Sequence, residues 1–67
     1  MAVARITEIT ASSTKSFQDA VDIGLKRASK TLRGITGLEV VSQKAKVSDS
    51  KVQEYRVSLK VTFVLEN

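Results

Sequence analysis

From Tyr55 to Leu65 the chain alternates. Tyr55, Val57, Leu59, Val61, Phe63 and Leu65 are apolar, and Arg56, Ser58, Lys60 and Thr62 between them are polar, continuing from Glu54. A period of two puts one set on each face of a strand, so residues 52–65 are predicted as a long strand with an apolar face and a polar face. At about 3.3 Å per residue this strand extends roughly 45 Å, so its far end is expected to project beyond its own helix toward a neighbour. Residues 38–47, LEVVSQKAKV, form a second strand, and SDSK at 48–51 supplies the Ser and Asp that favour a turn. Residues 3–10, VARITEIT, are β-prone and read as the opening strand. Between the first and second strands the period changes. Phe17, Val21, Gly24, Ala28 and Leu32 recur at steps of three or four, with Ala20 and Leu25 widening the stripe, so residues 14–33 are predicted as one amphipathic helix. Asp19 and Asp22 lie early in it and Lys26, Arg27, Lys30 and Arg33 late, the order that suits the helix dipole. Ser13 is the expected N-cap, its hydroxyl accepting from a free N–H of the first turn. Gly34 is expected to end the helix with a positive φ.

The element order is therefore β-α-β-β in a single domain over residues 1–67, an α+β class. A hairpin closed symmetrically at Asp49-Ser50 sets Glu39 opposite Lys60, Val40 opposite Leu59 and Gln43 opposite Arg56, joining unlike charges on one face and apolar groups on the other. The first strand joins the free edge of the last, giving a three-stranded antiparallel sheet of order 1-3-2. The helix covers one face. The other, carrying Glu39, Gln43, Glu54, Arg56, Ser58 and Lys60, is polar and uncovered within the subunit.

Size changes this picture. A chain of 67 residues buries about 60% of its unfolded surface, and the gain from burial comes close to cancelling the entropy of ordering it. Small domains are commonly reinforced by disulfides, metals or assembly, and this chain has no Cys and no His. Assembly is the expected remedy. The net charge of +4 permits anionic ligands, but the cations are dispersed, Lys26-Arg27 is the only adjacent pair, and Phe17, Tyr55 and Phe63 are the only aromatics. That is a poor stacking platform for nucleic acid, which is not an expected partner. Residues 1–10 have no charged start followed by an apolar run, and no apolar stretch approaches the roughly 20 residues that span a bilayer. A soluble cytoplasmic protein with no membrane partner is expected.

Without His or Cys, neither a serine triad nor a thiol site can be assembled, and the glycines match no nucleotide loop. The carboxylates Glu8, Asp19, Asp22, Glu39, Asp49, Glu54 and Glu66 are scattered, none with calcium-loop spacing. The class expected is a binding or storage assembly rather than an enzyme. A cation site built across subunits stays open.

Three segments together, VARITEITASSTKSF, RASKTLRGITGLEVV and VQEYRVSLKVTFVLE, resemble the dodecins over nearly the whole chain. The resemblance implies β-α-β-β subunits assembled as a hollow homododecamer that binds flavin, riboflavin or FMN, at subunit interfaces. In flavin-binding dodecins the position matching Gly37 is a tryptophan that stacks on the isoalloxazine ring, and the position matching Arg56 is typically a glutamine that bonds the ring edge. This chain departs at both. The candidate ligand site is Gly37, Glu39, Ser42, Lys44 and Arg56, taking a flavin-type or phosphate-bearing ligand, with flavin affinity reduced by the missing indole. The alternative is an assembly of the same fold without flavin function, either structural or binding a calcium-like divalent cation through Glu39, Asp49 or Glu54.

Overall fold

The computed structural model describes residues 3–65. Its order is β1 (Val3–Ser13), α1 (Phe17–Thr31), β2 (Ile35–Ser48) and β3 (Lys51–Leu65). The strands form one antiparallel sheet of order β1-β3-β2, as the sequence predicts. Val57, Leu59 and Val61 of β3 are almost fully buried against α1, and each contributes roughly 1.5–3 kcal/mol of hydrophobic stabilisation. The residues α1 buries are all small: Ala20, Gly24 and Ala28. A Cβ added at Gly24 would stand 2.9 Å from Leu59 Cδ1 and 3.1 Å from the Ala11 Cβ, so the glycine is what lets the helix approach β1 and β3 this closely. Phe17 and Tyr55 close the helix's N-terminal end edge to face, with ring centroids 4.9 Å apart.

The element ends differ from the sequence reading, for local reasons. β1 runs on to Ser13, which pairs with Tyr55 and is buried. Ser13 is therefore not the N-cap. Its Oγ accepts from the Lys15 N–H at 2.9 Å and donates to Asp19 Oδ2 at 2.6 Å, tying strand to helix. Ser16 caps instead, accepting from the Asp19 N–H at 2.9 Å. The helix stops at Thr31 because Leu32 is already extended. Gly34 has the expected positive φ, +73°, but belongs to the turn into β2 rather than to the helix end. Its carbonyl accepts from the Val64 N–H at 2.9 Å, and a Cβ there would stand 2.9 Å from the Val64 carbonyl oxygen. The hairpin tip is Asp49-Ser50, both at positive φ (53° and 61°), the two-residue geometry whose twist suits a hairpin.

Glu39 faces Lys60 and Val40 faces Leu59, as predicted, but Gln43 does not face Arg56. A register shift between Val40 and Ser42 puts one extra residue into β2, so Gln43 lies opposite Val57 and Lys44 opposite Arg56. The bulge moves Gln43 off the polar face and brings Ser42 and Lys44 onto it. The Cα framework spans 52 Å in its longest direction, while fifteen helical residues span about 22 Å. The β2–β3 hairpin therefore extends well past α1, leaving Val47 and Val52 exposed at its far end.

Candidate functional site

Partners across an antiparallel ladder share a face. Because Val57, Leu59 and Val61 face α1, the intervening residues of β3 and their partners form the open outer face. It is built in rows across the three strands, each about 6.7 Å from the next. Ile6, Thr62 and Gly37 form the first row. Glu8, Lys60 and Glu39 form the second, a lysine with a carboxylate on either side. Thr10, Ser58 and Ser42 make a row of three hydroxyls, and Ser12, Arg56 and Lys44 a row with two cations.

All five sequence-predicted ligand residues lie on this face: Gly37, Glu39, Ser42, Lys44 and Arg56. Gly37 and Arg56 stand in rows at opposite ends of the set, about 20 Å apart along the strands. Arg56 Nε donates to Glu54 Oε1, the one ion pair among the described residues. Lys44, Ala45, Lys46 and Arg56 line a depression where three cationic side chains meet with only Glu54 to offset them. Such a place favours an oxyanion, and an arginine there can bind it through two donors at once. At Gly37 the backbone is not in the left-handed region, and an added Cβ would meet nothing within 4 Å. The glycine is therefore no conformational requirement. It leaves an open place on the sheet.

The metal candidates are not brought together within one chain. Glu39 faces Lys60, Glu54 lies six residues earlier on β3, about 20 Å away, and Asp49 sits at the hairpin tip. Among the described residues no cluster of three or more acidic, His or Cys side chains could hold a metal ion. Glu66 lies outside the described residues.

The dodecin family model matches residues 3–66. The chain belongs to the dodecin family. A dodecin from Thermus thermophilus is 36% identical over 59 residues, covering 88% of this chain and 86% of that protein. A tryptophan-to-phenylalanine variant of the T. thermophilus dodecin superposes with a TM-score of 0.94 at 33% identity, covering 100% of both chains. A calcium dodecin from Mycobacterium tuberculosis, described as calcium-chelating, superposes with a TM-score of 0.82 at 26% identity, covering 96% of this chain and 91% of that one. Where a related dodecin offers a tryptophan to vary, this dodecin has none anywhere in its sequence. No helix among its described residues is long and apolar enough to cross a membrane.

The sequence reading missed the contribution of β1. Ile6, Thr10 and Ser12 stand on the outer face beside β3. The signal was present, since Ile6 and Ile9 are an odd number of residues apart and must point to opposite faces of a strand. Which of the two faces outward follows only from the pairing of Ile9 with Leu59. A larger groove, lined by Ile9, Ala11, Ile23, Gly24, Ala28 and Leu32 among others, runs between β1 and α1 on the opposite side of the sheet. It is mostly apolar and holds none of the candidate ligand residues.

Proposed function

We propose that this dodecin is a non-enzymatic small-ligand-binding protein, assembled as a homododecamer. Its outer sheet face takes a flavin-type or other phosphate-bearing ligand, with weak affinity for the flavin ring. The observation that carries the reading is the gathering of Gly37, Glu39, Ser42, Lys44 and Arg56 onto one uncovered face, with a cationic depression at its hairpin end. Stacking on a base-like ring contributes roughly 1–3 kcal/mol, which an open glycine cannot supply. The cations remain for a phosphate. Assembly is supported by the small core and by the exposed apolar residues of the projecting hairpin, Val47 and Val52.

The calcium-chelating relative supports a second reading, in which a divalent cation is bound. With Glu39 and Glu54 about 20 Å apart in one chain, that site has to be completed by another copy.

The test is a titration of riboflavin and FMN followed by flavin fluorescence polarisation, with mass from light scattering and a parallel calorimetric titration with calcium chloride. Binding of FMN more tightly than riboflavin by an assembly near twelve subunits supports the reading. Calcium binding without flavin binding establishes the alternative. A monomer at micromolar concentration removes the assembly from both.

A further inference from the structure

We infer that Ile6 supplies the apolar contact for a ligand's flat ring on the outer face, in place of an aromatic side chain on β2. The inference rests on the flavin-type reading above and names the residue that carries its ring. Three observations lead to it.

Ile6 is 62% exposed and faces away from the core, because its partner Thr62 lies between the buried Val61 and the helix-side Phe63. Most of its side chain is therefore left uncovered within its own chain. Second, Ile6, Thr62 and Gly37 form one row across all three strands. Neighbouring strands are about 4.8 Å apart, so Ile6 and Gly37 stand roughly 9.6 Å apart, close to the long dimension of a three-ring aromatic system. Third, the Gly37 end of that row is open, with nothing within 4 Å of where a Cβ would be, so a planar group can lie on the backbone there without displacing a side chain.

The neighbouring rows supply the polar chemistry. Glu8, Lys60 and Glu39 lie about 6.7 Å along the sheet, where a ring edge finds both a donor and acceptors. The hydroxyls of Thr10, Ser58 and Ser42 come next, followed by Arg56 and Lys44. A ring laid across the strands at Ile6 directs a polyhydroxy chain along the hydroxyl row toward the cations. This order of rows suits the flavin-type, phosphate-bearing ligand of the reading above.

Riboflavin titration by fluorescence polarisation tests this on the assembled protein, with assembly checked by light scattering for each variant. Ile6→Ala and Ile6→Thr should each weaken riboflavin roughly fivefold, since both remove apolar surface and the second keeps a β-branched residue in the strand. Ile6→Trp should tighten it roughly tenfold by adding a stacking surface. Val3→Ala is the control, because Val3 is equally exposed at 61% but pairs with Leu65 on the other face, and it should leave affinity unchanged. Binding by the parent that is undiminished in Ile6→Ala and Ile6→Thr, or diminished equally in Val3→Ala, overturns the role of Ile6 and leaves the flavin reading standing. Absence of a polarisation rise with both the parent and Ile6→Trp overturns the flavin reading itself.

Discussion

Gly37→Trp combined with Arg56→Gln should give this dodecin a strong ring-binding site. The added tryptophan meets no steric obstacle at its root, because its Cβ has nothing within 4 Å and the backbone at 37 is not in the left-handed region. Stacking then contributes roughly 1–3 kcal/mol, or about one to two decades of affinity at 1.4 kcal/mol per decade. Replacing Arg56 breaks its pair with Glu54, but the two side chains are 55% and 30% exposed, so the loss is at most about 1 kcal/mol. It also relieves the like-charge neighbour Lys44, directly opposite on β2. The stacking gain exceeds the structural loss, and because position 56 lies about 20 Å from position 37 within one chain, the glutamine's donor and acceptor reach the ring edge from a neighbouring copy in the assembly. Arg56 is one of the cations assigned to the phosphate, so the double change should help riboflavin more than FMN. The assay is flavin fluorescence polarisation with both ligands, on protein whose mass is unchanged by light scattering. We expect riboflavin affinity to rise at least tenfold, with a smaller rise for FMN. A correctly assembled double variant that binds riboflavin no better than the parent would falsify the argument from the missing indole. Submicromolar riboflavin binding by the parent would refute it from the other side.

Leu59 is fully buried and Lys60 is exposed on the outer face, so Leu59→Ala should cost about 2–5 kcal/mol and Lys60→Ala well under half of that. Denaturant unfolding measures both, and similar losses would mean the faces of β3 are exchanged. Gly24→Ala should destabilise despite alanine's better helix propensity, worth about 1 kcal/mol. Its Cβ has to displace Leu59 and Ala11 from 2.9 and 3.1 Å, and overpacking typically costs about 1–3 kcal/mol. A raised melting temperature in that variant would show that α1 can lift away from the sheet freely.

The types and order of the elements, and the face of β3 that is buried, were legible in the sequence because they rest on short periods. Alternation from Tyr55 to Leu65 and steps of three and four from Phe17 to Leu32 depend only on where successive side chains point in a strand or a helix. The 1-3-2 order followed from a hairpin and an edge to fill. Ladder register was not fully legible. The bulge between Val40 and Ser42 has no unmistakable mark in VVSQ, yet one extra residue there exchanges Gln43 for Lys44 on the polar face and creates the cationic depression. Helix limits depended on contacts across the fold as well. Ser13 could be taken for a cap until its pairing with Tyr55 held it in β1, leaving Ser16 to cap α1. Gly37 was the ambiguous residue. A glycine in a sequence can mark a positive φ, a close approach or simply a missing side chain, and composition alone does not separate the three. Only its tertiary surroundings, an ordinary backbone with empty space above it, identify the third, and only the register places Ile6 in the same row.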